Sequence, residues 1–422
     1  MTLTRTRRAA VAAGMAGTLL AVAACSSGGS TPAATASSTG GSVTGEITLG
    51  YSAGGDWGKY IETTLDRIRT AYPGLTVKSV VYPTYDDLLN QLPNQFAANT
   101  APDIIQWDGA APIAQYASEG VIAPLDDAVA KSGKDLSAYP KSLISGWTID
   151  NKLYGIPLFL QNSAVAYNTK MLTDAGVTSI PRTLDEYAAA AAAVSKTSGA
   201  KGVVLLDSLF HISQYLYAFG GGYDYGRTIN SEQNIAGLTY LVKLFSDGYA
   251  STAKELGATW DGEAFAAGKA AMSDAGPWYV SFMKLTAPKM DYALMPLPSG
   301  SGTDQTVVAY SGGFSINQYT KNFDAAYAVI DMFANDQAQS ELLASGTQVP
   351  AMTKYLKQYR DSTPAYAAFT DEVIANGRSL DYPLATTEFG NALVAGFQDL
   401  VYNPGKSTPK ALLDSLQQQF GR

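Results

Sequence analysis

The segment LTVKSVVYPTYDDLLNQLPNQFAANTAPDIIQW, residues 75–107, contains two strand patterns separated by a helix pattern. Residues 75–82 are rich in β-branched and aromatic side chains, which favour a strand. Residues 85–98 carry apolar side chains at helical spacing, and residues 103–107 form a short apolar run typical of a buried strand. A strand, a helix and a strand in this order predict a parallel βαβ unit.

The same alternation continues on both sides of this segment. Residues 46–49 alternate as a strand, and residues 57–72 predict a helix that ends before Pro73 and Gly74. Later elements are predicted at 163–167 (strand) and at 183–195, 322–335 and 364–376 (helices). We therefore expect an α/β protein with a mainly parallel sheet covered by helices on both faces.

One predicted helix start has a specific capping pattern. Thr183 is a candidate N-cap, and Glu186 follows three residues later. In a capping box, these two side chains each accept a hydrogen bond from the other residue's backbone N–H.

Residues 1–24 have the pattern of a secretory signal peptide that ends before a cysteine. Arg5, Arg7 and Arg8 form a basic start, an uncharged stretch follows, and small residues precede Cys25 in a way that resembles a bacterial lipobox. The uncharged stretch is shorter than the roughly 20 residues of a membrane-spanning helix. We expect Cys25 to carry the lipid, palmitate included. The sequence is compatible with export by either the general or the twin-arginine route.

The segment from the lipidated Cys25 to residue 44 is predicted to be a flexible tether. It consists mainly of Ser, Gly, Thr and Ala and carries no charge. The folded body would then be anchored to the outer face of the cell membrane.

Composition excludes several classes of function. The chain has 422 residues, which favours two domains, and its formal net charge of −8 makes nucleic acid an unsuitable partner. His211 is the single histidine, and no zinc spacing, calcium loop or dinucleotide fingerprint is present. We expect no metal and no cofactor.

The segment Gly50–Gly54, GYSAG, resembles the nucleophile elbow of a serine hydrolase and lies between a predicted strand and a predicted helix. Catalysis by Ser52 needs a histidine, and His211 is the one candidate. The other interpretation is a glycine-rich turn that brings backbone N–H groups to a ligand. A secreted serine hydrolase that uses Ser52 is therefore kept as an alternative function.

Aromatic residues beside polar groups follow several predicted strands, where α/β sheets bind ligands. An aromatic ring stacks on the C–H face of a sugar while a carboxylate accepts charge-assisted hydrogen bonds from its hydroxyls. The predicted ligand-binding residues are Asp56, Trp57, Trp107, Asp108, Gln161, Trp260, Asp261, Trp278, Tyr279 and Gly312. Additional candidates are Gly54, Gly55, Gly313, His211, Tyr223 and Tyr225.

Four segments resemble a known family, the extracellular solute-binding proteins of bacterial carbohydrate ABC transporters. They are APDII at 101–105 continuing through Trp107-Asp108 to EGVIAPL at 119–125, LYGIP at 153–157 followed by Tyr167-Asn168, FAAGKAAM at 265–272, and GPW at 276–278. Their order and spacing match the family over essentially all of residues 45–422.

The resemblance implies a periplasmic-binding-protein-like fold: two α/β lobes joined by hinge crossovers, with a ligand cleft between them. It assigns residues 45–157 and 290–335 to lobe 1, and residues 158–289 and 336–422 to lobe 2. Trp107-Asp108 matches a first-lobe sugar contact and Trp278 a stacking residue of the second lobe. Gln161 stands where maltodextrin-binding members have a glutamate, which puts maltose itself in doubt.

The expected function is that of a monomeric, lipid-anchored sugar-binding receptor without catalytic activity. It would bind a carbohydrate, with an oligosaccharide as the expected ligand, close its lobes, and deliver the sugar to ABC permease subunits in the membrane. A receptor for a non-sugar solute is the further alternative. An amino-acid ligand would need an arginine for its carboxylate, and Arg378 is a candidate.

Overall fold

The computed structural model describes residues 43–52, 55–83, 85–109, 112–300, 305–345, 348–363, 373 and 376–422. They belong to one compact unit, Ser42–Arg422. The predicted signal peptide, Cys25 and most of the tether lie outside the described residues, as does nearly all of the helix predicted at 364–376.

The larger sheet begins with the parallel strands predicted from the sequence. Gly45–Ser52 pairs in parallel with Leu75–Tyr82 on one side and with Ile104–Trp107 on the other. The helices Gly55–Ala71 and Tyr85–Ala97 connect these strands, which confirms the βαβ prediction. In spatial order the six strands described in this sheet are Val349–Pro350, Ile156–Asn162, Ala309–Ile316, Ile104–Trp107, Gly45–Ser52 and Leu75–Tyr82.

The smaller sheet contains both parallel and antiparallel pairs of strands. Its parallel part consists of Ala270–Ala275, Lys201–Leu205 and Ala250–Thr252. Ala164–Asn168 and Tyr292–Met295 complete the described sheet in antiparallel pairing. All five strands are short, and four of them are largely buried, as expected for a sheet with helices on both faces; the edge strand Tyr292–Met295 is the less buried one.

Helices cover both sheets. The remaining described α-helices are Ile113–Ser118, Asp126–Ser132, Lys141–Gly146, Thr169–Asp174, Leu184–Thr197, Leu209–Ala218, Glu232–Ser246, Asp261–Ala266, Trp278–Thr286, Phe323–Ala334, Asp336–Ser345, Thr353–Ser362, Thr386–Tyr402 and Pro409–Phe420. Short 3-10 helices lie at Leu136–Ala138 and Asp224–Gly226, and short strand pairs at Thr148–Ile149 with Lys152–Leu153 and Leu297–Pro298 with Gln305–Thr306. Within the described ranges, no helix has both the length and the apolar character that crossing a membrane requires.

The predicted capping box is present. Thr183 precedes the helix Leu184–Thr197, its hydroxyl accepts from the Glu186 N–H at 3.1 Å, and the Glu186 carboxylate accepts from the Thr183 N–H at 3.3 Å. Two of the four orphan N–H groups at this helix start are thereby satisfied.

Three chain segments cross between the lobes side by side. The Ser163 N–H donates to the Val308 carbonyl at 2.8 Å, and the Val308 N–H donates to Ser163 Oγ at 2.9 Å. On the other side, the Arg378 N–H donates to the Val307 carbonyl at 3.0 Å, and the Ala309 N–H donates to the Arg378 carbonyl at 2.7 Å. The crossings therefore form a narrow hydrogen-bonded hinge between the two lobes.

Sheet membership and contacts divide the chain differently from the expected lobe boundaries at three places. Ile156–Asn162 lies wholly in the larger sheet, so the first crossing follows residue 162 and not residue 157. Tyr292–Met295 still belongs to the smaller sheet, so lobe 1 resumes later than residue 290. Gln339 Nε2 donates to the Leu158 carbonyl at 2.7 Å, which attaches the segment after residue 336 to the larger-sheet lobe.

Candidate functional site

The carboxyl ends of parallel strands from both sheets meet beside the hinge. In the larger sheet, Ile104–Trp107 ends directly before Asp108. In the smaller sheet, Ala270–Ala275 is followed by Trp278 at the start of a helix, and Lys201–Leu205 is followed by the helix that carries Phe210. Ligands of α/β proteins bind at this edge of a sheet.

Asp108 is held at the site by a buried amide. Gln106 is fully buried, accepts a hydrogen bond from the Ser52 N–H at 3.0 Å through Oε1, and donates through Nε2 to Asp108 Oδ1. Desolvation raises the pKa of Asp108, while the hydrogen bond from Gln106 opposes that rise. A partly desolvated carboxyl beside a fixed donor is suited to accept hydrogen bonds from ligand hydroxyl groups.

Tyr310 joins Gln161 to Asp108 on the same side of the site. Its hydroxyl donates to Gln161 Oε1 at 3.0 Å. Burial, and then the nearby charge of Asp108, raise the pKa of Tyr310. The Tyr310 hydroxyl therefore stays protonated and neutral. The side chain of Tyr310 is half-buried.

Phe210 links this side to the smaller-sheet lobe. The centres of the Phe210 and Tyr310 rings are 5.4 Å apart, and those of Phe210 and Trp278 are 6.2 Å apart, both with edge-to-face geometry. All three side chains are only half-buried. They form a row of aromatic surface that crosses from one lobe to the other.

The orientation of Trp278 depends on a glycine. A Cβ atom at Gly276 would lie 2.1 Å from the Trp278 ring, so the ring rests directly on the backbone there. The GPW segment, residues 276–278, thus follows the end of a strand, leaves space for the indole at Gly276, and leads into a helix that begins at Trp278.

Asp261 and Tyr279 do not face the ligand side as expected. Asp261 is 1% exposed and Tyr279 is fully buried. The Tyr279 hydroxyl donates to Asp261 Oδ2 at 2.9 Å, and Ser273 Oγ is 3.1 Å from the same oxygen. In this conformation both side chains are directed into the lobe, and direct contact between them and a ligand stays a prediction.

Trp107 and Gly312 also lie in the core and not at the site. Trp107 is fully buried and its Nε1 donates to Ser315 Oγ at 2.6 Å. A Cβ at Gly312 would lie 1.9 Å from the Phe159 ring, so this glycine permits close packing within the sheet. Gly313 likewise has no room for a Cβ, which would lie 2.5 Å from the Ile156 carbonyl oxygen.

Three further predicted residues are at or near helix starts. Asp56 and Trp57 lie in the first turn of Gly55–Ala71; their side chains, and Gly54, lie outside the described part of the structure. Trp260 precedes the helix Asp261–Ala266 and is half-buried. Its ring centre is 4.5 Å from that of Phe282.

The additional tyrosine and arginine candidates have structural roles. Tyr223 is fully buried, with its hydroxyl 2.7 Å from Ser213 Oγ. Tyr225 is half-buried and adopts a positive φ of 53°. Arg378 donates to the Gly221 carbonyl at 2.6 Å and lies over an aromatic ring. Its guanidinium therefore makes contacts within the protein.

Serine catalysis finds no support in the geometry. Ser52 is 6% exposed and hydrogen-bonded to Gln106, whereas His211 Nδ1 is 2.7 Å from Ser208 Oγ. His211 Nε2 is 3.8 Å from Asp261 Oδ2, beyond hydrogen-bond distance. Ser208, His211 and Asp261 therefore lie near one another without the closed relay that activates a serine.

Cavities elsewhere do not compete with this site. A groove of ≈ 630 Å³ includes Lys134, which is paired with Asp331 at 2.8 Å. A second groove of ≈ 480 Å³ includes Asp103, whose carboxylate accepts from Thr48 and Thr320. Both grooves are on the larger-sheet lobe, and Lys134 and Asp103 are engaged within that lobe. Among the described residues, no cluster of three or more potential metal ligands is found.

Comparison with known proteins gives a consistent picture. The family model of the bacterial extracellular solute-binding proteins matches residues 54–340. The galactooligosaccharide-binding protein of Bacillus subtilis (strain 168) is 24% identical over 287 residues, which cover 65% of this chain and 66% of that protein. The match thus spans just under two thirds of that relative.

Solved structures share the fold. An ABC substrate-binding protein from Listeria monocytogenes in complex with cycloalternan has a TM-score of 0.74 at 20% identity, covering 89% of this chain and 97% of the other. UgpB from Mycobacterium tuberculosis in complex with glycerophosphocholine has a TM-score of 0.74 at 19% identity, with the same coverage of this chain and 98% of the other. Both support the two-lobed, periplasmic-binding-protein-like architecture.

The family consists of solute-binding proteins and not of enzymes, and its description places its members outside the cell. The family model covers more than half of the chain, and the fold, with two mixed sheets and a narrow hinge, is that of the structural relatives. The chain belongs to the bacterial extracellular solute-binding proteins.

Proposed function

We propose that the protein is a lipid-anchored receptor that binds a neutral oligosaccharide between its lobes and delivers it to an ABC importer, without breaking any bond. The observation that carries the proposal is the aromatic row Tyr310, Phe210 and Trp278, which spans both lobes beside Asp108 and Gln161. Aromatic faces for C–H groups and oxygen acceptors for hydroxyls are the two requirements of sugar binding.

The chemistry of these residues favours an uncharged ligand. Gln161 and Tyr310 are neutral, and the pKa of Asp108 is raised by burial. Arg378, the arginine considered for a carboxylate, is engaged with the Gly221 carbonyl. An anionic ligand would meet the Asp108 carboxyl and no matching cation among these residues.

Lobe closure follows from the position of the site. Asp108, Gln161 and Tyr310 belong to the larger-sheet lobe, whereas Phe210 and Trp278 belong to the other. A ligand that touches both groups stabilises the closed arrangement, because it gains contacts there that it lacks when the lobes are apart. The hinge at Ser163, Val308 and Arg378 is narrow enough to bend between the two states.

Delivery and anchoring rest on the family and on the sequence. A closed, monomeric receptor would present its two lobes to the permease subunits, and lipidation at Cys25 would keep it at the membrane. The named ligand of the Bacillus relative, a galactooligosaccharide, supports a saccharide of more than one unit.

A glycan panel tested by thermal shift would examine this function directly. A ligand present at 100 times its dissociation constant stabilises the folded state by about 2.7 kcal/mol. We expect at least one oligosaccharide to raise the melting temperature, and glycerophosphocholine, the ligand of UgpB, to leave it unchanged. Stabilisation by glycerophosphocholine alone would instead assign the receptor to a non-sugar solute.

The same protein would test the enzyme alternative. A fluorophosphonate probe should leave the protein unlabelled, because neither Ser52 nor Ser208 has an activated geometry. Labelling that is lost in Ser52→Ala or in Ser208→Ala would contradict a purely binding role.

A further inference from the structure

One buried carboxylate oxygen connects several hydroxyl groups of the smaller-sheet lobe. Asp261 Oδ2 accepts from the Tyr279 hydroxyl at 2.9 Å and from Ser273 Oγ at 3.1 Å. These two hydroxyls are themselves 2.7 Å apart. The three oxygen atoms lie within hydrogen-bond distance of one another, and the two hydroxyls supply donors to the buried carboxylate oxygen, which is how such a group is accommodated.

His211 approaches the same oxygen from another helix. Its Nε2 is 3.8 Å from Asp261 Oδ2, and its Nδ1 is 2.7 Å from Ser208 Oγ. Desolvation lowers the pKa of His211, against the opposing effect of Asp261. A neutral imidazole therefore lies between the helix start at Ser208 and the buried carboxylate.

Each of these buried residues directly follows an aromatic residue in the chain. Asp261 follows Trp260, Tyr279 follows Trp278, and His211 follows Phe210. Phe210, Trp260 and Trp278 are all half-buried, and we call them the aromatic face. Three separate helix starts, each carrying one member of the aromatic face, thus converge on Asp261.

Ring contacts connect the buried residues to the aromatic face. The Tyr279 ring is 5.5 Å from the Trp260 ring, and the His211 ring is 5.3 Å from the Phe210 ring. A shift of Tyr279 would therefore be transmitted to Trp260, and a shift of His211 to Phe210.

We infer that Asp261 is a positioning residue that fixes the aromatic face for stacking on the ligand without touching the ligand itself. This inference rests on the proposed sugar-binding function. It assigns Asp261 and Tyr279 a different role from the direct ligand contact expected from the sequence. It also explains why both are buried although the aromatic residue before each of them is only half-buried.

Two substitutions at one position separate positioning from simple stability. Asp261→Ala removes the acceptor and leaves the hydroxyls of Tyr279 and Ser273 without it. Asp261→Asn keeps one carbonyl oxygen for the same two donors, so we expect it to restore the arrangement.

Asn234→Ala is a matched control for loss of stability. Asn234 is fully buried and bonds the Gly222 and Thr228 carbonyls, with no member of the aromatic face among its partners. Its removal also leaves buried groups unpaired, which lowers stability.

The readouts are the near-ultraviolet circular dichroism of the ligand-free protein and the dissociation constant of the tightest saccharide by calorimetry. We expect Asp261→Ala to alter the tryptophan bands and to weaken binding by about tenfold or more. Asp261→Asn should stay within about threefold of the parent protein. Asn234→Ala should melt earlier with unchanged affinity.

Other outcomes would overturn the inference in distinct ways. Unaltered tryptophan bands in Asp261→Ala would show that the carboxylate does not position the aromatic face. Equal loss of affinity in Asp261→Asn and Asp261→Ala would indicate a direct charge contact with the ligand. If the parent protein bound no saccharide, the proposed function would fail, while the spectra would still test positioning.

Discussion

Ser163 and Val308 are joined by two hydrogen bonds where the chain passes from one lobe to the other. The Ser163 N–H donates to the Val308 carbonyl at 2.8 Å, and the Val308 N–H donates back to Ser163 Oγ at 2.9 Å. In the second bond, the Ser163 hydroxyl takes the place of a backbone carbonyl as the acceptor. The two crossing segments therefore stay hydrogen-bonded to each other, although neither sheet extends through this point. One of the hydrogen bonds of the hinge is therefore made by a side chain.

Substitution of Ser163 tests that role. Ser163→Ala leaves the buried Val308 N–H without its acceptor, so we expect the free energy of unfolding to fall by about 1–3 kcal/mol. Urea titration would measure this change. Ser118→Ala, which removes an exposed hydroxyl bonded to a helix carbonyl, should leave the midpoint nearly unchanged. Equal midpoints for the two variants would exclude a structural role for the Ser163 hydroxyl.

Removal of the Trp278 indole should weaken sugar binding. A stacking aromatic at the centre of a binding site contributes about 1–3 kcal/mol, so Trp278→Ala should raise the dissociation constant correspondingly. Calorimetry with the best saccharide would measure it. Tyr319→Ala provides the control, because Tyr319 is 59% exposed and lines a groove on the larger-sheet lobe. An unchanged dissociation constant in Trp278→Ala would remove this residue from the site.

A single methyl group added at residue 276 should displace the Trp278 indole. In Gly276→Ala the added Cβ would lie 2.1 Å from the Trp278 ring, so the ring must move. We expect a shifted tryptophan emission spectrum and an affinity reduced by about as much as in Trp278→Ala. Retention of both the emission spectrum and the affinity would contradict the contact between ring and backbone.

Asp274 predicts a dependence of stability on pH. Its carboxyl is fully buried; Oδ1 accepts from the Tyr215 hydroxyl at 3.1 Å, and Oδ2 has no partner among the described residues. Desolvation, and then the charge of Asp261, raise its pKa well above the usual value. The folded state therefore binds this proton more tightly than the unfolded state. The resulting stabilisation is complete below about pH 4, the ordinary carboxyl pKa, and is lost as the pH rises.

Asp274→Asn removes this proton-dependent contribution. We expect the stability of the variant relative to the parent protein to increase as the pH rises above about 4, the ordinary carboxyl pKa. Urea unfolding at several pH values would measure the difference. Asp291→Asn, at an exposed position, should give a curve parallel to the parent. A parallel curve for Asp274→Asn as well would show that Asp274 titrates normally in the fold.

The sequence predicts the local elements well because their signals are local. The strand 75–82 appears with the predicted limits, and the helix predicted at 85–98 ends one residue earlier, at Ala97. The first crossing expected after residue 157 falls inside the strand Ile156–Asn162, because the apolar character of residues 156–160 does not tell which sheet a buried strand joins.

The site was predicted only in part, because the same dipeptide has opposite orientations in different elements. At the end of a strand, Trp107 points into the core while Asp108 reaches the site. At the start of a helix, Trp260 is half-buried while Asp261 is buried. Phe210 and Tyr310 were missed because their chain neighbours give no signal; only contact across the lobes identifies them.

The order of the strands in the larger sheet also constrains when the protein can fold. Ala309–Ile316 lies between Ile156–Asn162 and Ile104–Trp107, so these two earlier strands cannot pair with their common neighbour until residue 316 has been synthesised. Contacts this distant in sequence make folding slow. The larger-sheet lobe therefore keeps strand edges unpaired until about three quarters of the chain exists.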